Sequence, residues 1–208
     1  MKIEVFIDSM MQENSYIYYD ENTLEAVIID PALCLEREAK FIKNKNLKVK
    51  YIILTHSHAD HIADVEELKK ITGAEVVANK NEREMLIDAK KNLSSDFYTS
   101  GIEFEADIYV SEGDELTMGK HKFNFIDTPG HTTGGMCIVN EDKIFTGDTL
   151  FMGSIGRTDL YGGDYEKMLN SLKKLSKLDG SMTIYPGHGP SSTIAAENKS
   201  NYYMKLVK

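Results

Sequence analysis

Residues 55–61, THSHADH, place three of the chain's six histidines and one aspartate within seven positions. The β-rich segment KVKYIIL precedes them and the helix-like segment IADVEELKKI follows, so the histidines lie where a strand ends and a helix begins. In extended chain, His56 and His58 point to the same side, whereas Asp60 and His61 begin the helix and face a second point nearby. Imidazole and carboxylate groups are ligands for zinc and non-haem iron. The segment therefore predicts two pairs of metal ligands aimed at neighbouring positions.

Three further candidate ligands stand at the ends of other β-rich runs. TPGHTTGG carries His131, FTGDTLF carries Asp148 and YPGHGP carries His188. Each has a glycine next to it, and glycine lets the backbone turn sharply and bring a side chain into a crowded site. A lone histidine or Gly-Asp pair is usually structural, and His121, in the predicted hairpin GKHKF, is assigned that role. The joint pattern favours a metal site, because four ligands seldom hold two metals without further partners.

Composition and charge restrict the class of protein. The 208 residues are enough for one domain, residues 1–208, with a substantial core. The mean hydropathy of −0.35 is typical of a soluble protein, and no apolar run approaches the roughly 20 residues of a membrane helix. The net charge of −9 argues against binding along a nucleic-acid backbone. The expected partner is therefore a small molecule, with neither nucleic acid nor membrane, and the oligomeric state is left open.

The N-terminus and the cysteines predict the compartment. MKIEVFIDS alternates like a strand and lacks both the apolar core and the cleavage site of an export signal. Cys34 and Cys137 alone make no disulfide framework, and Cys137 lies in an apolar strand where burial is expected. A reducing cytoplasm is the simplest interpretation.

Hydrophobic periodicity predicts the elements that position these residues. Three strands are expected in the first thirty residues, followed by a helix over 35–45, a strand over 50–54 and a helix from the histidine cluster to about residue 72, ended by Gly73. Next come a strand AEVVA, a helix NEREMLIDAKKNL and an aperiodic loop or lid over 92–107. The second half gives the short strands IYV, ELTMG, HKFNFIDT, GMCIVN and KIFTGD, an amphipathic helix DYEKMLNSLKKLSKL, a strand MTIYP and a closing helix STIAAENKSNYYMKL. Two packed sheets with helices outside would bury these faces.

In this order, THSHADH, PGHTTGG, FTGDTLF and PGHG resemble the motifs of the metallo-β-lactamase-fold superfamily over nearly the whole chain. The resemblance implies an α/β fold, an αβ/βα four-layer sandwich of two mixed β-sheets with the metal site at one edge. It also implies one metal on His56, His58 and His131, a second on Asp60, His61 and His188, and Asp148 as the bridge. Asp60 and Asp148 are the expected catalytic carboxylates. The expected cofactors are two divalent ions, zinc first with iron or manganese as alternatives, that share a hydroxide nucleophile.

Within the superfamily, FTGDTLFMGSIGRTDLYGGDY resembles glyoxalase II and its short bacterial relatives, the hydroxyacylglutathione hydrolases. The resemblance implies hydrolysis of a small thioester, and Arg157 matches the basic position that meets glutathione. Asp159 replaces a tyrosine common in the family, and the family's C-terminal helical domain is not expected after PGHGP, so the thiol carrier is left open. The other interpretation of Arg157 is an ion pair that braces its loop, for instance with Asp159 or Asp164.

Two other functions are weighed against the hydrolase. GRTD also resembles the persulfide dioxygenases of this fold, whose single iron would be held by His56, His131 and Asp148. Their motif normally has Arg-Gly-Cys before GRTD, where this chain has Gly-Ser-Ile. A metal-binding module without catalysis would predict a lost ligand, and all seven positions are filled.

For several residues outside the ligand set, the sequence is consistent with two different roles. Asp30 ends the strand VIID and either hydrogen-bonds a ligating histidine or makes a plain turn before proline. Met10 and Met11 either border the pocket or fill gaps in the packing. Phe97 and Tyr98 either cover a substrate or pack against the sheet edge.

Overall fold

Two six-stranded sheets face each other in the computed structural model, which describes residues 1–208. The first sheet contains, in both chain and spatial order, β1 (Lys2–Ile7), β2 (Asn14–Tyr19), β3 (Glu25–Ile29), β4 (Lys48–Ile53), β5 (Glu75–Asn79) and β6 (Ile108–Val110). Strands β1 to β3 pair antiparallel, whereas β3 to β6 pair parallel. The sheet is therefore mixed, and its parallel strands end at a common edge.

The second sheet is also mixed. The remaining strands, in chain order, are β7 (Glu115–Met118), β8 (His121–Asp127), β9 (Met136–Asn140), β10 (Lys143–Gly147), the small hairpin β11 (Leu150–Phe151) and β12 (Ser154–Ile155), β13 (Thr183–Pro186) and β14 (Ser192–Thr193). The spatial order is β14-β13-β10-β9-β8-β7, in which only β10 and β13 pair parallel. Strands β10 and β13 thus end side by side, and Asp148 and His188 follow directly.

Eight α-helices and one 3₁₀ turn complete the chain. They are α1 (Leu35–Lys45), α2 (Ala59–Ile62), α3 (Val65–Thr72), a 3₁₀ turn (Lys80–Glu82), α4 (Arg83–Leu86), α5 (Ser94–Phe97), α6 (Tyr165–Leu175), α7 (Ile194–Ser200) and α8 (Tyr202–Leu206). None of these helices has the length and apolarity needed to cross a bilayer.

Three layers of buried apolar side chains separate four layers of backbone. Alternate residues of β2 show the arrangement, because Tyr16 and Tyr18 point between the sheets while Ile17 and Tyr19 point toward α1 and α3. Between the sheets, the Tyr18 ring centroid lies 5.5 Å from that of Phe145 in β10. The third layer packs the second sheet against α6, α7 and α8. The predicted four-layer sandwich with outer helices is therefore confirmed.

Three of the predicted helices are wrong in length, each because polar side chains interrupt them. The helix after the histidine cluster breaks at Asp64, whose carboxylate accepts hydrogen bonds from the Cys34 and Leu35 amides at 2.7 and 2.8 Å. The helix predicted over 81–93 ends at Leu86, because the Asp88 carboxylate instead caps the amides of the turn that follows. The closing helix divides at Asn201, which caps α8.

Candidate metal centre

All seven residues predicted as metal ligands lie where strands of the two sheets end. The segment with His56, His58, Asp60 and His61 follows β4 of the first sheet. His131, Asp148 and His188 follow β8, β10 and β13 of the second sheet. The structure brings these residues together at one edge of the sandwich, as the sequence predicts.

His56, His58 and His131 form a buried group, the inner triad. One ring nitrogen from each lies within 4.8 Å of the others, and the three residues are at most 4 % exposed. The closest pair joins His58 Nδ1 to His131 Nε2 at 2.8 Å. Such spacing suits three ligands of one tetrahedral ion that keeps a fourth position open.

Asp60, His61 and His188 form a second group, the outer triad, which is closer to solvent. Their ligand atoms also lie within 4.8 Å of one another. His188 Nε2 lies 3.4 Å from Asp60 Oδ2, and these two side chains are 26 % and 18 % exposed. His61 is fully buried and connects this triad to the protein interior.

Asp148 stands between the two triads. Its Oδ2 lies 3.4 Å from His131 Nε2 of the inner triad and 3.6 Å from His188 Nε2 of the outer one. Its Oδ1 lies 3.5 Å from His61 Nε2. A carboxylate that reaches both groups is placed as a bridging ligand would be.

The buried polar atoms of this cluster fit divalent cations. The atoms that are buried without a hydrogen-bond partner include His56 Nε2, His61 Nε2 and Asp148 Oδ1. Burying such atoms unpaired is costly, and metal coordination is one of the few ways to satisfy them. Nitrogen and carboxylate donors of this kind suit zinc, iron and manganese alike.

Electrostatics keep His56, His58 and Asp148 in the protonation states that metal binding requires. Burial, reinforced by the other histidines, lowers the pKa of His58 to about 3 and that of His56 well below its ordinary value. Both rings are therefore neutral at pH 7, as ligands must be. Burial alone would raise the pKa of Asp148, but the facing His61 and His131 bring it below its usual value, so this carboxylate is ionised.

Hydrogen bonds from outside the cluster aim the imidazole rings. His131 Nδ1 donates to the carbonyl oxygen of Arg157 at 2.7 Å, which leaves Nε2 free to face Asp148. His61 Nδ1 lies 3.0 Å from Asp30 Oδ2, and His56 Nδ1 lies 3.1 Å from Thr55 Oγ1. Such contacts fix the tautomer and orientation of ligating histidines.

Asp30 occupies the orienting position that the sequence suggested. Besides His61, its carboxylate accepts hydrogen bonds from the Thr55 amide at 2.7 Å and the Thr55 hydroxyl at 2.5 Å. Its backbone is held at φ +49°, an uncommon conformation for a residue with a side chain. Strain of this kind persists where the surroundings over-determine it, and here the contacts to Thr55 and His61 do so.

The Arg157 side chain borders the cluster but is already paired. Its Nε and Nη2 each donate to the Asp159 carboxylate at 2.7 Å, and both side chains are more than half exposed. The pair lowers the pKa of Asp159 to about 2. Of the two interpretations that the sequence left for Arg157, the structure shows the ion pair with Asp159, while the backbone carbonyl serves His131.

Glu13 and Asn14 belong to the site although sequence patterns did not single them out. Glu13 is fully buried, with Oε1 3.6 Å from His61 Nδ1, and burial raises its pKa well above the ordinary value. The Asn14 side chain donates to the carbonyls of Pro186 and Gly189, 3.0 and 2.8 Å away, and so holds the loop of His188. The available signal was a pair of polar residues at the start of β2, a strand that is buried on both faces.

Glycine is required at position 187, in the loop that carries His188. A Cβ on Gly187 would lie 2.7 Å from His61 Cε1 and would collide with the Asp148 carboxylate. The close approach of backbone to ligands that the sequence predicted for PGHG is therefore present at this position.

A cleft of about 240 Å³ opens above the cluster. Its floor includes His58, Asp60, His131, Asp148 and His188. Its walls are Met11, Ala59, Leu93, Phe97, Arg157 and Leu160. Met11 and Phe97 thus border the pocket, as one of the two interpretations held, whereas Cys137 is fully buried and His121 lies in the β7–β8 hairpin, outside the site.

Comparison with known proteins identifies the family. The model of the metallo-beta-lactamase superfamily matches residues 10–188. The chain belongs to the metallo-β-lactamase superfamily. Hydroxyacylglutathione hydrolase GloC of Haemophilus influenzae is 34% identical to it over 209 residues, which cover 98% of each chain. The resemblance to this branch of the superfamily is thereby confirmed.

Solved structures of the superfamily superpose closely on this chain. BLEG-1, a B3 metallo-β-lactamase, is 34% identical with a TM-score of 0.91, covering 98% of this chain and 99% of its own. TTHA1623, solved in a di-iron-bound form, is 27% identical with a TM-score of 0.85, covering 96% and 99%. The chain is thus a metal-dependent hydrolase of this superfamily, and relatives of similar identity carry different names.

Proposed function

We propose that this protein hydrolyses small-molecule thioesters, as a glyoxalase II-like enzyme that works with two divalent metal ions. The observation that carries the proposal is the convergence of two triads of ligand atoms on one bridging carboxylate, Asp148. Similarity to a hydroxyacylglutathione hydrolase over the full chain supports the thioester as substrate. The di-iron form of TTHA1623 supports two metals, with zinc as the first expectation here.

The two triads would hold the ions. His56, His58 and His131 would bind the first, Asp60, His61 and His188 the second, and Asp148 both. Ions bound there would lower the pKa of a water molecule and polarise the carbonyl of the substrate.

The surrounding residues orient the ligands and the substrate. Asp30, Thr55 and the Arg157 carbonyl keep one nitrogen of each of three histidines directed at the centre. Asp60 faces both His188 and the cleft, so its carboxylate can also orient an attacking water molecule. The cluster leaves no free histidine for acid–base work, because His121 lies elsewhere and contacts Asp20.

Arg157 is proposed as an anchor for a carboxylate on the thiol part of the substrate. It lines the cleft, and an arginine offers a rigid fork of donors that matches a carboxylate. Because Asp159 already occupies that fork, a substrate carboxylate must displace it. The grip on an anionic carrier such as glutathione is therefore expected to be weak. We also propose that residues 1–208 act as one catalytic domain in the cytoplasm, where the two unpaired cysteines would stay reduced.

Metal content and substrate range test this proposal together. Protein purified without added metal is analysed for bound elements and then assayed with S-lactoylglutathione. Two equivalents of a divalent metal and thioester turnover are expected. One iron with oxygen consumption in the presence of glutathione persulfide would favour a dioxygenase instead. Turnover of a β-lactam without thioester hydrolysis would favour a lactamase.

A further inference from the structure

Apolar side chains from three separate segments surround the cleft above the metal centre. They are Met11, the pair Leu93 and Phe97, and Leu160. Phe97 is 55% exposed and Met11 42%, although apolar side chains of this size are mostly buried elsewhere in the chain. Exposed apolar groups gathered at one cleft mark a binding surface.

The first segment is held in place by its own loop. The Asp8 carboxylate accepts hydrogen bonds from the amides of Met10 and Met11, at 2.9 and 2.5 Å. Gln12 follows with φ +59°, which turns the chain toward the buried Glu13. Met11 is therefore fixed at the cleft by polar contacts rather than by packing of its own side chain.

The second segment carries Leu93 in a strained conformation. Its φ of +68° lies in the left-handed region, which bulky side chains rarely adopt. The neighbouring Asn92 is fully buried and donates from Nδ2 to the carbonyls of Met85 and Ile102, 3.0 and 2.9 Å away. Its own carbonyl accepts from the Ala59 amide at 2.9 Å, next to Asp60. The network holds Leu93 against the metal centre at a cost in backbone strain.

Leu93 and Phe97 act as one wall. Leu93 directly precedes the single-turn helix α5 and Phe97 ends it, and both side chains line the cleft. Leu160 lines the cleft from the loop that follows Arg157.

Charge offers little competing attraction at this cleft. Arg157 is the single basic side chain of the wall, and its Nε and Nη2 already donate to Asp159. The binding energy that the wall itself can give a substrate is therefore mainly burial of apolar surface.

We propose that the substrate carries an uncharged hydrocarbon arm beside the scissile thioester, bound by Met11, Leu93, Phe97 and Leu160. This inference rests on the proposed thioesterase function and names its substrate class. The arm belongs either to the acyl group or to the thiol, and the chemistry of recognition is the same for both.

Two series of uncharged substrates separate these sources in the zinc-loaded, full-length protein. One series lengthens the acyl group, as acetyl, butyryl and hexanoyl thioesters of N-acetylcysteamine. The other lengthens the thiol, as acetyl thioesters of ethanethiol, butanethiol and hexanethiol. A fully buried methylene raises binding affinity about fourfold. On a partly exposed wall we expect about twofold for each added methylene. Hence kcat/KM should rise about tenfold or more along one series, and a flat response in both would overturn the inference.

Variants connect the chain-length effect to the wall. Phe97→Ala and Met11→Ala, on independent segments, should each remove most of the gain in kcat/KM from the shortest to the longest substrate. Ile87→Ala is the matched control, because Ile87 is 41% exposed and does not line the cleft. Equal losses in Phe97→Ala and Ile87→Ala would contradict the proposed wall.

A binding measurement keeps this inference distinct from the proposed function. Protein labelled with ¹³C at methionine methyl groups is titrated with hexanamide, an uncharged analogue of the arm, and the Met11 signal is assigned from Met11→Ala. A selective shift of the Met11 methyl signal supports the apolar site even if no thioester is hydrolysed. Absence of thioester hydrolysis would then contradict only the proposed thioesterase function. Thioester turnover without chain-length dependence and without this shift would remove only the apolar arm.

Discussion

The floor and the walls of the cleft are built in opposite ways. On the floor, His56, His58, His61 and His131 are at most 4 % exposed, and three of the four have a ring nitrogen oriented by a group outside the cluster. On the walls, Met11 and Phe97 are about half exposed and come from loops or a single helical turn. Strand ends of two sheets thus fix the chemistry, whereas loops shape what reaches it.

The floor itself divides into a closed and an open half. The inner triad is buried throughout, but the outer triad has His188 at 26 % and Asp60 at 18 % exposure. Ligands nearer to solvent are more easily released, so we expect an ion on the outer triad to be lost first under a chelator. Asp148 contacts histidines of both halves.

Asp148→Asn should have the largest effect, because it removes the negative charge shared by the two triads. We expect the loss of at least one metal per chain and a fall in kcat of a hundredfold or more, measured by elemental analysis and thioester turnover. Asp142→Asn is the control, because Asp142 is exposed and precedes β10 at the end opposite to Asp148. This variant should keep its metal content and its turnover. Two retained metals with full turnover in Asp148→Asn would show that this residue does not bridge.

Asp30→Asn should have the next largest effect, because it breaks the support of the floor without removing a ligand. The amide can present a donor to His61 Nδ1 and Thr55, which both donate to the carboxylate in the native protein. Loss of such an orienting partner typically costs 10–100-fold in metal affinity. Competition with a chromophoric chelator measures that change, and an affinity equal to the wild type would rule out an orienting role for Asp30.

The sequence predicts the residues of the floor better than the contacts that support them. The seven candidate ligands could be predicted as a set because metal ligation demands specific residue types, and because His56, His58, Asp60 and His61 stand together beside a strand end. The helix α1 could be predicted to its ends because apolar periodicity continues to Asn46, which ends it in the left-handed conformation. Both signals are local in sequence.

Most features that sequence missed depend on contacts between distant segments, whereas the break after Leu86 depends on a local cap by Asp88. The breaks at Asp64 and after Leu86 depend on side chains that bind backbone amides in preference to continuing a helix. Glu13 reaches His61 only after β2 has paired into the sheet, and the Arg157 carbonyl reaches His131 across 26 residues. Every residue type has a backbone carbonyl, so sequence could not predict that the Arg157 carbonyl accepts a hydrogen bond from His131. The sequence pattern indicated a role for the Arg157 guanidinium instead.

Arg157→Ala tests the charged part of the wall and should have a moderate effect. For S-lactoylglutathione, KM should rise about tenfold, because a charge-assisted hydrogen bond is worth roughly 1.5–3 kcal/mol and displacement of Asp159 offsets part of it. An uncharged N-acetylcysteamine thioester should be almost unaffected. Asp159→Asn is the complementary variant, and it should lower KM for the glutathione thioester because the guanidinium is released. If both substrates suffered equally in Arg157→Ala, the residue would be bracing its loop.

His121→Ala should have the smallest effect on catalysis, although His121 resembles the site histidines in burial and in having a carboxylate partner. It is 6% exposed, and its Nε2 lies 2.8 Å from Asp20 Oδ2. Since it lies outside both floor and walls, kcat should stay within twofold of the wild type. A loss of about a hundredfold with both metals retained is the scale of a missing acid–base group and would show that the site extends to His121.

The stability of His121→Ala should instead depend on pH. The hydrogen bond from His121 is the largest influence that lowers the pKa of Asp20, with smaller help from the Asn22 amide. A depressed folded-state pKa means that the stabilisation is fully present above the unfolded value of about 4 and is lost as the pH falls through the folded value. The difference in Tm between wild type and His121→Ala should therefore be larger at pH 6 than at pH 3, because at pH 3 the Asp20 carboxyl of the unfolded chain is largely protonated and part of the stabilisation is lost. A difference that stays constant between these two pH values would mean that His121 stabilises the hairpin through packing alone.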